Sequence, residues 1–355
     1  MLQVPLPGRI GCRVWGAPLA DRQAIIAAFL ATAGWGDAER RFLAGDASAR
    51  SYDRLTRADG TAVLMDAPPG EGEEIEPFVR IAAHLHGLGL SAPRILARDD
   101  TSGLLLLEDL GDDLFASLLR RDPGQEPTLY AAAVDVLLRV QSAPPPPDLP
   151  DPTAADWAEA AAFALDWYRF AITGARIDTR PFVTSLTEAL HRHADGPRVM
   201  ILRDYHAENL LWLPQRPGIA AVGLLDFQLA QMGQPAYDLV SLCQDARRDI
   251  APALEPWLCA RFLMQTGGDE AGFSAAYAAL GAQRALRILG GFARLSLVVG
   301  KPGYVALMPR VWRQLQRSLA HPALTELAAL CGRDLPEPTP DRLERIRSQC
   351  GQHRP

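Results

Sequence analysis

The sequence predicts an α+β fold of two lobes, a small antiparallel-sheet lobe followed by a larger helical lobe. Three observations predict it. Up to about residue 110, short apolar runs alternate with turn signals. From residue 113 onward, apolar residues recur at helical spacing over most of the chain. One strand-rich insertion, residues 199–233, interrupts those helices and carries polar loops.

Residues 1–20 carry apolar side chains broken by Pro, Gly and Arg, without periodicity. They read as an N-terminal extension that lacks the compact apolar stretch of a secretory signal. The first lobe is expected over 21–110. DRQAIIAAFLATAGW puts its apolar residues on one helical face and stops at Gly34. The stretch RRFLAGDASARSYDRLTRADGTAVLMDAPP then reads as strand, tight loop, strand, a turn at Asp59-Gly60 and the apolar strand Ala62 to Met65. In IEPFVRIAAHLHGLG, Ile75, Phe78, Val79, Ala82 and Leu85 share a helical face that ends at Gly87 and Gly89. A strand pair begins at Pro93 and closes with GLLLLEDLGDD, a continuous apolar run that meets acidic residues and Gly111.

The second lobe is expected over 111–331. Helical patterns cover Asp113 to Arg120 and Thr128 to Gln141, then resume after the stiff APPPP linker as DWAEAAAFALDWYRFAITG and PFVTSLTEALHRHADG. After the insertion, helices are expected over Tyr237 to Ala246, Ala253 to Thr266, Phe273 to Val299 and Pro309 to Leu319. Residues 332–355, rich in charge and Pro, read as a polar tail.

With 36 basic against 42 acidic side chains, the formal net charge of −6 gives no field that favours nucleic acid. Five scattered cysteines without close pairing exclude zinc-ribbon and redox-pair patterns and read as reduced thiols. No apolar run approaches the roughly twenty residues of a membrane-spanning helix. These readings predict a cytoplasmic protein, a monomer, with a small-molecule partner and neither nucleic acid nor membrane.

The chemistry concentrates in the insertion. Leu202-Arg-Asp-Tyr-His-Ala-Glu-Asn209 reads D-x-x-x-x-N, and seventeen positions beyond Asn209 the apolar strand ends in Asp226-Phe-Gln. Phosphoryl transfer from a magnesium-bound nucleotide needs a carboxylate beside the acceptor hydroxyl and oxygen ligands for the metal. Asp204, Asn209 and Asp226, set between apolar strands, meet that need. Singly, Asp204 could cap a turn and Asn209 could bond backbone. His206 either approaches the γ-phosphate or hydrogen-bonds within the loop.

On these residues the chain resembles the aminoglycoside phosphotransferase and choline kinase-like superfamily, over roughly residues 21–330. The resemblance implies a protein-kinase-like fold that uses ATP and Mg²⁺. It makes Asp204 the catalytic aspartate, Asn209 and Asp226 the metal ligands and Asp238, in QPAYDLVSL, a structural support for the loop. Further segments, GDASARSYDRL, FVRIAAHLHGLGLSAPRIL, LLLEDLGDD, LLDFQLAQMGQPAYDLVSL and GKPGYVALMPRVW, resemble the branch that phosphorylates the anomeric hydroxyl of N-acetylmuramate and N-acetylglucosamine in cell-wall recycling.

Nucleotide contacts are expected from the loop Gly45 to Arg50, through Ser48 and Arg50, and from Glu108 to Leu110, whose backbone would meet adenine. The strand Ala62 to Asp66 lacks the lysine that the superfamily places there; Met65 or Asp66 occupies the position, so Arg50, Arg54 or a second metal must supply the charge. That gap also admits a non-catalytic, kinase-like binding protein, and another small alcohol or an aminoglycoside remains an alternative acceptor. Candidates for the amino-sugar acceptor are Gln244, Asp245, Arg294, Lys301 and Tyr304. Trp157, Trp167, Trp212 and Trp312 either stack on a sugar or pack in the core.

Overall fold

The computed structural model describes residues 19–45, 50–70 and 74–354. Its first elements are helix α1 (Leu19–Thr32), strands β1 (Glu39–Gly45), β2 (Ser51–Arg57) and β3 (Gly60–Asp66), helix α2 (Glu76–Gly87), and strands β4 (Ile95–Asp99) and β5 (Leu104–Glu108). The strands form one antiparallel sheet in the order β1-β2-β3-β5-β4. β3 and β5 are central, which is why their sequences read as unbroken apolar runs. One face stacks Leu55, Ala62, Leu64, Leu104 and Leu106 against Ile26, Phe29 and Leu30 of α1 and Trp35. At the end of β3 the backbone approaches so closely that a Cβ on Gly103, which has φ +66°, would lie 2.0 Å from the Ala67 carbonyl oxygen. Only glycine fits there.

Helices α3 (Phe115–Arg121), α4 (Glu126–Ser142), α5 (Ala154–Ala161), α6 (Phe170–Thr173) and α7 (Arg180–Ala194) follow, with a π-helical turn at Ala164–Arg169 between α5 and α6. Two short hairpins come next: β6 (Val199–Ile201) pairs with β9 (Gln231–Gly233), and nested between them β7 (Leu210–Trp212) pairs with β8 (Val222–Leu224). Helices α8 (Tyr237–Cys243), α9 (Leu254–Thr266), α10 (Glu270–Leu297), α11 (Met308–Leu319), α12 (Thr325–Asp334) and α13 (Pro340–Arg347) complete the chain. Among the described residues no helix is long and apolar enough to cross a membrane.

The chain divides into two compact units. The first runs through Phe115 and takes back Leu210–Leu229; the second comprises Ala116–Asn209 and the chain from Ala230. The excursion 210–229 departs from the contiguous lobe read from sequence, and specific bonds explain it. Leu224 N–H donates to the Ser91 carbonyl and Trp212 N–H to that of Asp113, each at 2.8 Å, and Arg216 reaches Glu108 at 2.6 Å.

In the second unit, α10 is the axis of the core. Its 28 residues span about 42 Å, and its small side chains, among them Ala279, Ala282, Ala285 and Ala293, are buried. Gly290 lets a neighbour touch its backbone, since a Cβ there would lie 2.1 Å from the Phe163 carbonyl carbon, just before the π-helical turn. The segment expected to be a polar tail instead forms α13. Leu335, Leu343 and Ile346 enter the same core, the last two an i, i+3 pair masked by five charged neighbours in PDRLERIR. The extension 1–20 lies outside the described residues except for Leu19 and Ala20, which begin α1.

Candidate active site

The loop Leu202–Asn209 leaves β6 and is tied down at almost every residue. Leu202 and Arg203 donate their N–H groups to the two oxygens of Asp238, at 2.6 and 2.9 Å. Asp238 stands in the first turn of α8 and is fully buried. Burial pushes its carboxyl up to about 7, against the pull of those two N–H groups. Arg203 adopts φ 71°, a left-handed conformation that costs a non-glycine residue about 1–3 kcal/mol and so needs such an anchor. Beyond it, Tyr205 is buried with its hydroxyl on the Ala133 carbonyl at 2.8 Å, and Ala207 accepts from Ala116 N–H at 2.9 Å.

Asp204 is partly exposed in this frame. Burial alone would raise its pKa, but the charges of Arg287, Arg203 and Arg284 outweigh that and hold the carboxyl below its usual range. Asp204 is therefore an anion at neutral pH, the state a group needs to accept a proton from an alcohol. Its carbonyl takes the Asn209 side-chain N–H at 2.8 Å, which leaves Oδ1 as the amide's oxygen donor.

In this structure His206 is engaged by hydrogen-bond partners at and beside its loop. Its Nε2 faces two N–H donors, Arg247 at 3.3 Å and Asn209 at 3.4 Å, so Nε2 is the lone-pair nitrogen and Nδ1 carries the hydrogen. Burial pushes its pKa down to about 4, assisted by Arg247 and Arg284 and opposed by Asp245. The ring is neutral.

Asp226 belongs to the first unit, where it follows β8. Its φ of 55° makes it, with Asp148 and Arg203, one of three non-glycine residues of positive φ among those described. Gln228 donates to its Oδ1 at 2.6 Å, and the adjoining Phe227 packs on Phe78 with ring centroids 4.8 Å apart. Strained backbone of this kind gathers where a side chain must be aimed.

Of the expected nucleotide contacts, Ser48 lies outside the described residues, and Arg50 is buried just ahead of β2. Glu108 closes β5 with its own N–H donated to the Arg94 carbonyl at 2.8 Å and its carboxylate on Arg216. The Glu108 N–H is therefore already taken by Arg94. At the position without lysine, Met65 is fully buried and Asp66 pairs with Arg22 at 2.5 Å. Arg54 spends its charge on Asp109 and Asp112, both at 2.8 Å.

The acceptor candidates separate. Gln244 and Asp245 are buried at the end of α8, and the Gln244 carbonyl accepts from Arg284 at 3.2 Å. Arg294 instead lies over the Trp167 ring at 5.9 Å, and Tyr304 packs on Phe292 at 5.1 Å. From Arg287 to Arg294 the helix climbs about 10 Å, so Arg294 is not part of the charge cluster at Asp204. Lys301 donates its N–H to the Leu295 carbonyl after α10. The tryptophans are packing residues: Trp157 meets Tyr237, Trp212 meets Phe115 and Trp312 meets Tyr168. Sequence reading missed Arg284 and Arg287, whose signal was present as two arginines three apart in the otherwise apolar QRALRILGG.

The sequence profile of the phosphotransferase enzyme family matches residues 39–273. An N-acetylmuramate/N-acetylglucosamine kinase of Caulobacter vibrioides is 39% identical, over 90% of this chain and 98% of its own. One of the same description from Pseudomonas aeruginosa is 34% identical, over 84% and 90%. A choline/ethanolamine kinase family protein from Mesorhizobium loti superposes with a TM-score of 0.59, covering 92% of this chain and 99% of its own; at 15% identity it shares the fold.

Proposed function

The chain belongs to the phosphotransferase enzyme family, and from that premise we propose that it is an ATP-dependent kinase acting on the anomeric (C1) hydroxyl of N-acetylmuramate and N-acetylglucosamine, in the cytoplasmic recycling of cell wall. The observation that carries the reading is the loop at Asp204: an anionic, partly exposed carboxylate in an anchored frame, followed five residues on by an amide oxygen. The relatives described as N-acetylmuramate/N-acetylglucosamine kinases, matched along nearly their whole length, support the acceptor class.

Asp204 would orient the acceptor hydroxyl and take its proton late, as the bond to the γ-phosphorus forms and the bond to the bridging oxygen breaks. Asn209 and Asp226 would hold Mg²⁺, for which an amide oxygen and a carboxylate are the hard donors required. When bound, that ion neutralises charge on the phosphate oxygens. The charge that lysine supplies elsewhere would come from Arg50, Arg54 or a second metal ion, and Arg54 already lies on Asp109 and Asp112. Positioning and electrostatics dominate a loose transition state. Replacing Asp226 by Ala should therefore abolish turnover, while Asp204→Ala should lower kcat by about 10²–10⁴.

The test is ATP consumption with Mg²⁺ against N-acetylmuramate, N-acetylglucosamine, glucose, choline and kanamycin, with phosphorus NMR of the product. An anomeric phosphate from the acetamido sugars supports the proposal. Turnover only with choline or kanamycin removes the sugar acceptor, and an Asp226→Ala protein of wild-type rate removes the assigned metal site.

A further inference from the structure

Besides Arg203 Nε, four buried polar atoms in or around the Asp204 loop have no hydrogen-bond partner among the described residues: His206 Nδ1, Asp245 Oδ2, Arg284 Nε and Arg287 Nε. Three of the side chains are almost wholly enclosed, with exposures of 5% for His206, 1% for Asp245 and 5% for Arg284. An orphaned buried donor or acceptor is costly, and native proteins rarely tolerate several together without a purpose. Nor are these groups loose. Asp245 Oδ1 accepts Arg247 N–H at 2.9 Å, and the Asp245 carbonyl takes the Gln314 side chain at 2.9 Å. Arg284 donates through Nη1 to the Gln244 carbonyl, and Arg287 through Nη2 to the Tyr237 hydroxyl, both at 3.2 Å. Each side chain is fixed by one edge and keeps the other in reserve.

The groups also share one neighbourhood. Arg284 bonds the residue next to Asp245, and the charges of Arg284, Asp245 and Asp204 all act on His206. Their polarity narrows the ligand. One spare carboxylate oxygen asks for a donor, and the spare Nε of a neighbouring guanidinium asks for an acceptor. A carboxylate ligand would meet Arg284 but be repelled by Asp245. An ammonium would meet Asp245 but be repelled by Arg284 and Arg287. A hydroxyl both donates and accepts, but through one oxygen, so it serves two partners only where they converge on a single point. A secondary amide presents N–H and C=O on one rigid plane, without charge, and satisfies both.

Resting on the function proposed above, we infer that Asp245 and Arg284 form the subsite that reads the acetamido group of the acceptor sugar, with the amide N–H on Asp245 Oδ2 and its carbonyl on Arg284 Nε. The common feature of N-acetylmuramate and N-acetylglucosamine is thereby recognised through the one group that glucose lacks. A site built to hydrogen-bond a polar group rejects the analogue without it strongly, because its own buried groups stay unpaired.

The experiment compares kcat/KM for N-acetylglucosamine and for glucose in the wild type, Asp245→Asn and Arg284→Lys, with circular dichroism and thermal melting to establish that each variant is folded. Wild type is expected to prefer the acetamido sugar by about 100-fold or more. Asp245→Asn presents a donor to the amide N–H, and Arg284→Lys keeps the charge but removes Nε; each should cut that preference at least tenfold. Asp245→Asn is nearly isosteric, so it decides the matter should the buried lysine fail to fold. A folded variant that keeps the wild-type preference, or loses activity toward both sugars by the same factor, overturns the subsite while leaving the kinase standing. Wild-type protein that phosphorylates neither sugar but another alcohol overturns the amino-sugar reading itself, and the acetamide subsite with it.

Discussion

Asp238→Ala is the sharpest probe of how the loop is built. The substitution removes the acceptors of two backbone N–H groups, Leu202 at 2.6 Å and Arg203 at 2.9 Å, from a place where water does not reach. Each buried donor left unsatisfied costs about 1–3 kcal/mol, so the gross loss is roughly 2–6 kcal/mol. Part is returned, because the carboxyl is itself buried and its pKa is pushed up to about 7, a sign that its charge is held at a cost. A net loss of about 2–3 kcal/mol is therefore expected at pH 7.5. The loop can avoid some of that by letting Arg203 relax from φ 71°, but this moves the next residue, Asp204. Stability and activity are thus coupled through one carboxylate. Urea unfolding followed by circular dichroism measures the first, and kcat/KM the second, which should fall at least 100-fold if the loop relaxes. A variant within 0.5 kcal/mol of wild type that also keeps kcat/KM within twofold, both rough thresholds against typical surface substitutions, would refute the view that Asp238 holds the loop.

Three further predictions concern packing and titration. Gly290→Ala drives a Cβ to 2.1 Å from the Phe163 carbonyl carbon, whereas Cβ of Gly291→Ala meets nothing within 4 Å; thermal melts should show the first destabilised by about 3 kcal/mol or more and the second unchanged or stabilised by up to about 1 kcal/mol. For pH, the pKa of about 4 for folded His206 lies below the ordinary value near 6.5. Between those values the unfolded chain binds a proton that the folded chain does not, so wild-type stability minus that of His206→Asn should rise with pH, by about 3 kcal/mol in all, and stay level above pH 6.5. Asp238 behaves in the opposite sense, its folded value near 7 exceeding the ordinary carboxylate range, so wild-type stability minus that of Asp238→Asn should fall as pH rises from about 4 to 7. Either difference with the reverse slope contradicts the assigned environment.

What the sequence made legible is what local chemistry dictates. The spacing of Asp204 and Asn209, the apolar strands around them and the Asp-Phe pair at 226 are short-range patterns, and so are the turn at Asp59-Gly60 and the continuous apolar run of β5. The features that escaped depend on distant partners. Nothing within 210–229 announces that its backbone will bond to Ser91 and Asp113, and so join the unit of the N-terminal sheet. Two apolar residues among five charged ones do not announce α13, whose Leu343 and Ile346 are buried only because the core receives them. Arg294 and Tyr304 were plausible sugar contacts by chemistry alone, but their rings and charge are engaged with Trp167 and Phe292.

Helix α10 draws these lessons together. Its buried face is made mostly of Ala, Gly and Leu, which pack at small separation, with Gln283, Phe292 and Ser296 among them. Against that background Arg284 and Arg287 are anomalous, since a guanidinium on a buried face loses hydration that packing does not replace. Apolar packing offers no reason to prefer arginine there, and each arginine donates one hydrogen bond, to the Gln244 carbonyl or the Tyr237 hydroxyl. The charges become intelligible only through what they face: the carboxylate of Asp204, which they keep ionised, and the unpartnered oxygen of Asp245. A buried charge on the core face of a helix, set one turn from its like, thus marks the side of the helix on which chemistry is done, and in this chain it points to the same loop as the D-x-x-x-x-N spacing.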